Sequence, residues 1–167
     1  MVCQSVRRLD QRGWTLAELL VVIAVIGILA AMAIPLMMTY VRSSTVRAGA
    51  QELRTGLNRA KQLAITLRQN VCVQPAGTGY QFRNTCPGGA LLPTANITGA
   101  DPTGTFRLQN SVTVTSGAPV TFTPLGNATL AGTYTVTGPP PPPNTLNVTV
   151  SVAGRIQCVN PVLLTPC

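Results

Sequence analysis

Few side chains in this sequence could do acid–base or metal chemistry, and they do not cluster. Histidine is absent, and the acids are Asp10, Glu18, Glu52 and Asp101, spread along 167 residues. General acid–base catalysis needs groups of tuned protonation held at one bond, and a Ser-His-Asp arrangement needs its imidazole. Past residue 40 only Glu52 and Asp101 remain, far apart in sequence, which argues against a stand-alone enzyme. The cysteines are Cys3, Cys72, Cys86, Cys158 and Cys167. Cys72-X13-Cys86 is not zinc spacing and the sequence contains no Cys-X-X-Cys pair, so no metal or cofactor is expected. The last four cysteines suit two disulfides in an exported domain, with three connectivities open. Cys72–Cys86 and Cys158–Cys167 are preferred, because each closes a short loop.

The remaining acid of interest is Glu18, at the mouth of a run that looks built for lipid. From Leu19 to Met38 twenty residues pass without a charge. That is about the length a helix needs to cross roughly 30 Å of hydrocarbon. Arg7, Arg8 and Arg12 precede the run. By the positive-inside rule the first residues stay cytoplasmic, and everything after about Tyr40 lies across the membrane. A carboxylate at such a place needs a partner, a shallow position or a function.

Three readings of the run are open on its residues. A secretory signal would use Ala31-Met32-Ala33 as its cleavage site. Pro35 then falls next to the new N-terminus, and the apolar run continues through Met38. A plain signal anchor leaves Glu18 incidental. The third reading uses more residues: Gly13-Trp14-Thr15-Leu16-Ala17-Glu18 followed by LLVVIAVIGILAAMAIP. This stretch resembles the class III leader of type IV pilins and type II secretion pseudopilins, with Trp14 where phenylalanine is usual. Gly27 and Pro35 fall where that family places a helix glycine and a helix-kinking proline.

The resemblance implies that prepilin peptidase removes residues 1–13, cutting between Gly13 and Trp14. Trp14 would then be N-methylated. It implies further that Glu18, about one helical turn on, meets the N-terminal amine of a neighbouring pilin or pseudopilin as helices stack. Opposite charges about 4 Å apart attract by roughly 4 kcal/mol at an effective dielectric of about 20, before desolvation is set against them. Unpaired, Glu18 stays near the interface of the inner-membrane lipid; paired, it can enter a bundle of apolar helices.

Beyond the run, Val46, Ala50, Leu53, Leu57, Ala60, Ala64 and Leu67 alternate by four and three residues. They predict one apolar stripe along an amphipathic helix over 41–69. Arg47, Arg54, Lys61 and Arg68 recur every seven residues as a basic edge beside it. Pro35 interrupts hydrogen bonding without ending the helix, so residues 14–69 form a single helix of some fifty-five residues. Residues 70–167 are rich in Thr, Val, Gly, Asn and Pro and predict a small antiparallel sheet. Strands are expected at 70–74 and 79–83 (a hairpin over Pro75–Thr78), and at 111–116, 120–123, 132–137 and 144–152. Pro139–Pro143 predicts a stiff polyproline connection. Asn96, Asn127 and Asn147 stand in N-x-T triplets, which are read as chance.

Two stretches resemble strand motifs of the GspH/FimT branch of minor pilins and pseudopilins. Phe122-Thr-Pro-Leu-Gly-Asn-Ala128 is similar to its F-x-P-x-G-x-A turn, and Gly154-Arg155 to its near-C-terminal Gly-Arg strand. Some FimT-like proteins bind DNA through a Gly-Arg-x-Arg at this position; here Gln157 replaces the second arginine. Arg155, Arg107 and Arg83 are therefore the candidate DNA contacts, with weak and salt-sensitive attraction expected. The expected architecture is α+β and pilin-like, a long N-terminal helix packed on an antiparallel β head. Its segments are a leader at 1–13, a transmembrane or filament-core helix at 14–40, the amphipathic helix at 41–69 and a periplasmic head at 70–167. The expected function is assembly into a type IV pilus, by priming or capping, with DNA uptake and type II secretion as alternatives.

Overall fold

The computed structural model describes residues 15–93, 99–109, 111–139 and 144–161. It divides into two compact units, Met1–Thr39 and Tyr40–Cys167. Helix α1 (Leu16–Leu67) is assigned as one helix of 52 residues and contains Pro35. Proline has no amide to donate to the preceding turn, and a long helix tolerates that loss as a bend.

In the first unit the described side chains of α1 are exposed, and almost all are apolar. In the second unit the periodic stripe of α1 becomes a buried seam. Val46, Ala50, Leu53, Leu57, Ala60 and Ala64 are all essentially inaccessible. Burying a side chain such as Leu53 or Leu57 contributes about 1.5–3 kcal/mol, and the alanines bring the helix backbone close to the strands. Leu67 departs from the expected stripe and is half exposed. It is the last helical residue before Arg68, which takes a left-handed φ of 52° and turns the chain out of the helix.

The head holds two antiparallel four-stranded sheets where the sequence predicts one. Strands β1 (Val71–Pro75), β2 (Gly79–Arg83), β3 (Thr105–Arg107) and β5 (Val120–Phe122) form the first, in the order β3-β2-β1-β5. Strands β4 (Thr113–Ser116), β6 (Gly132–Thr137), β7 (Thr145–Val150) and β8 (Ile156–Val159) form the second, in the order β4-β6-β7-β8. The β1–β2 hairpin forms with Pro75 opposite Tyr80, so Pro75 closes the strand rather than opening the turn. Strand β3 is not anticipated from periodicity. It pairs with β2 by setting Phe106 opposite Tyr80, and their rings stack with centroids 5.4 Å apart.

The core is the α1 seam, the inward residues of both sheets and the ring cluster Tyr80–Phe82–Phe106. Tyr134 of β6 ties the sheets together. Its hydroxyl donates to the Val73 carbonyl at 2.7 Å and accepts from the Val120 amide at 2.9 Å. Val73 and Val120 are themselves partners in the β1–β5 ladder. Burial drives the Tyr134 pKa well above the ordinary tyrosine value.

Candidate functional site

At the start of α1, Thr15 caps the helix. Its hydroxyl accepts the Glu18 amide at 3.2 Å, and its carbonyl accepts the Leu19 amide at 3.2 Å. Glu18 is thus the acid of a Thr-x-x-Glu capping pattern in the first turn, where the helix dipole favours negative charge. Sequence reasoning did not assign Thr15 this role, although the spacing was visible. The following helix is long and apolar enough to span a membrane. Gly27 has open space where a side chain would project. Gly13 and Trp14 lie outside the described residues.

Cys72 and Cys86 form a disulfide with Cα atoms 5.6 Å apart, tying β1 to the loop after β2. Cys158 is buried on β8; Cys167, its expected partner, lies outside the described residues, as do Asn96 and most of the proline run. Among the described residues no group of three or more His, Cys, Asp or Glu could hold a metal.

The three candidate DNA contacts do not form one patch. Arg83 and Arg107 lie at opposite ends of the β2–β3 pairing, since Gly79 is opposite Arg107. Arg83 donates to the Gly89 carbonyl at 2.5 Å and to the Gln81 side chain at 2.8 Å, and its Nε is buried without a partner. Arg107 is ion-paired with Asp101 at 3.0 Å. Asp101 also accepts from the Thr103 hydroxyl and from the amides of Thr105 and Thr103. Those bonds, led by the Thr103 hydroxyl, hold its pKa far below the usual carboxylate range. Arg155 is exposed on the β7–β8 turn in the other sheet.

The two glycine turns, by contrast, meet. Gly126 and Gly154 adopt φ of 82° and 73°, a region closed to most side chains. A Cβ on Gly154 would collide with the Gly126 carbonyl, and one on Gly126 would press on Lys61 and Ile65 of α1 at 3.2 Å. Lys61 donates to the Gly154 carbonyl at 3.1 Å, and the Ala128 amide to the Val152 carbonyl at 2.9 Å. One residue of the basic edge is therefore spent on holding these turns against the helix.

Sequence reasoning also missed the contacts of the helix with the first sheet. Glu52 accepts the Gln109 amide at 3.2 Å, and the Arg59 guanidinium lies 5.8 Å from the Phe106 ring centre. Beside them is a cleft of about 320 Å³ lined by Glu52, Arg59, Tyr80, Phe106 and Arg107 among others. Burial, reinforced by Glu52, pushes the Tyr80 pKa up to about 12. No local spacing signals these pairings, which depend on how the helix meets the sheet.

Residues 49–154 match the profile of the family described as type II transport protein GspH. The chain belongs to the GspH family. Residues 8–34 match the prokaryotic N-terminal methylation motif, a span that contains Gly13, Trp14, Glu18 and Gly27 and stops just short of Pro35. Together the two regions make this GspH-family chain a subunit of pilus or pseudopilus type, anchored by its N-terminal apolar helix in the inner membrane. Subunits of this type assemble with other pilins or pseudopilins. Similar solved structures include the type IV minor pilin FimU of Pseudomonas aeruginosa in two crystal forms. The identity is 20% in both, with TM-scores of 0.48 and 0.49, covering 67% and 71% of this chain and 90% of the other. The GspH match takes in Gly126 and Gly154 and ends one residue before Arg155.

Proposed function

We propose that the chain is made as a prepilin and acts by assembly rather than catalysis. Prepilin peptidase cuts between Gly13 and Trp14, and Trp14 is N-methylated. Residues 14–40 hold the protein in the inner-membrane lipid, and 41–69 with 70–167 form a periplasmic head. The subunit then enters a type IV pilus, where it primes or caps the filament. The observation that carries this reading is the methylation motif over residues 8–34, which runs into the charge-free part of α1, Leu19–Met38, with its exposed apolar side chains. Such a surface is stable in lipid or against like helices, and Glu18 at its mouth supplies the charge that a neighbour's amine would meet.

The deciding measurement is the intact mass and first residue of the chain extracted from membranes. A chain that begins at Trp14 and carries one added methyl group supports the reading. One that begins at Ile34 is an ordinary secreted domain, and the role given to Glu18 falls. A second reading, a type II secretion pseudopilus, draws support from the description of the matched family. Localisation separates the two: a subunit recovered from sheared surface pili favours the first, and one confined to secretion complexes the second. A DNA-uptake role rests first on Arg155 among the three candidate arginines, because Arg83 is bonded inside the head and the exposed Arg107 is already ion-paired with Asp101.

A further inference from the structure

Among the described residues of the head, the largest exposure of a large apolar side chain falls on the motif turn. Leu125 is 90% exposed, although it sits between Pro124 and Gly126 in a turn the fold holds firmly. The Gly126 amide donates to the Thr123 carbonyl at 2.9 Å, and the Thr123 hydroxyl bonds the Asn127 side chain. Val152, on the neighbouring turn, is 53% exposed, and Ile65, against Gly126, is 48% exposed. Three exposed apolar residues thus lie on the two turns and on the C-terminal end of α1 that holds them. Their rim is basic. Lys61 stands one helical turn before Ile65 on α1, Arg68 directly follows the helix, and Arg155 follows the Gly154 turn. A preorganised apolar anchor with a charged rim is the usual anatomy of a protein-binding hot spot.

Charge decides which partner fits. An isologous contact with a second copy would set Arg155 and Arg68 against their own equivalents. A head-to-tail contact between copies finds few acids to meet them. Glu52 is occupied by the Gln109 amide, and Asp101 by Thr103, Thr105 and Arg107. We propose that Leu125 and its neighbours dock a different pilin-type subunit, one whose head presents an apolar pocket with an acidic rim. The patch then gives this subunit a chosen neighbour, whereas the apolar first half of α1 could pack on any pilin helix. The proposal rests on the reading that the chain assembles with other pilins.

The test places a photo-crosslinking amino acid at Leu125 of the full-length chain in intact cells, with the same group at Leu91 as control. Leu91 is also exposed but lies beside β2, which β1 separates from the edge strand β5 that leads into the Leu125 turn. The expected result is one adduct from Leu125 and none of that mass from Leu91. Its partner should be a different chain that carries an N-terminal methylation motif and an acid-rich head. Arg155→Glu should lower the adduct yield, and Leu125→Asp should lower incorporation into filaments, each by about tenfold. The membrane level of both variants should hold, since both positions are solvent-exposed. An adduct with a second copy, with lipid, with the chain's own residues or with a protein lacking that motif would overturn the proposal. So would no adduct from a chain that is processed and present in filaments. A chain that starts elsewhere than Trp14 and is absent from filaments removes the assembly reading itself, and the proposal with it.

Discussion

Two carboxylates show how position sets what a single residue can do. Glu18 stands third in a helix that Thr15 caps through the Glu18 amide, so removing its side chain breaks the Thr-x-x-Glu pattern and any charge pairing with a neighbour while leaving that amide bond in place. Glu18→Gln separates the two, because glutamine serves in the same capping pattern without the charge. Glu18→Gln and Glu18→Ala should both be processed and inserted normally and be depleted from sheared filaments by about tenfold or more, the scale of losing a charge pair in a mostly apolar bundle. Normal incorporation of the glutamine variant, with loss only for alanine, would assign the residue to capping alone. Asp101 has a different task, since it organises the turn into β3 through three hydrogen bonds besides its ion pair with Arg107. Its pKa in the fold lies far below the ordinary value near 3.8. The unfolded chain therefore binds this proton first as pH falls. The stability owed to Asp101 is complete above about pH 5 and is lost as pH drops through the unfolded value toward the folded one. The stability gap between the chain and Asp101→Asn should accordingly be wide at pH 6 and close steadily below pH 5. A constant gap from pH 6 to pH 2 would show that the carboxylate charge does not hold the turn.

Among the elements, what could be read in advance followed from local period, and what could not came from pairing over long distances. The α1 seam from Val46 to Ala64 and the β1–β2 hairpin were legible because burial repeats at helical or strand spacing. The division into two sheets was not. Local alternation does not name a strand's partner, and nothing local says that β5 returns to β1 while β4 pairs with β6. Strand β3 was hidden because three residues are too few to show a period. At the candidate site the methylation motif and the glycine turns were legible, whereas the bonding of Arg83 and Arg107 was not, since Gly89 and Asp101 become partners only in the fold. The hydroxyl of Tyr134 joins the two sheets at the Val73–Val120 pair, so it is the element-level contact most open to test. Tyr134→Phe keeps the ring and leaves the Val120 amide and Val73 carbonyl short of a buried partner, which should destabilise the head by about 1–3 kcal/mol. Urea unfolding of the full chain in detergent should show a lower midpoint at unchanged slope. An unchanged midpoint would mean that water replaces the hydroxyl. The Cys72–Cys86 bridge closes a short loop beside β1, and replacing both residues with alanine should lower stability by about 2–4 kcal/mol. An unaltered melting temperature in that variant would show that strand pairing already fixes the loop.

For the molecule as a whole, the net charge of +8 suggests affinity for anions, yet the distribution of that charge limits what it can do. The proposed cleavage removes Arg7, Arg8 and Arg12, a quarter of the basic residues, and with them one of the four acids. In the head, Lys61 is bonded to the Gly154 carbonyl, Arg83 to Gly89 and Gln81, and Arg107 to Asp101. Attraction to a nucleic-acid backbone depends on how many phosphates are neutralised, and each contributes about −0.9 to the slope of log affinity against log salt on duplex DNA. Arg155, exposed on its turn, is the candidate that can reach a phosphate without first breaking a bond inside the head. Any DNA binding should therefore be weak and vanish near physiological salt. Arg155→Gln should reduce the salt slope by about one phosphate's worth. Arg83→Gln should leave that slope unchanged while lowering the thermal stability of the head, because it removes the bond to Gly89 that braces the loop after β2. The reverse ranking, with Arg83 governing the salt slope and Arg155 silent, would mean that the head opens its internal bonds to meet DNA. Uptake rather than filament assembly would then be the better account of its basic charge.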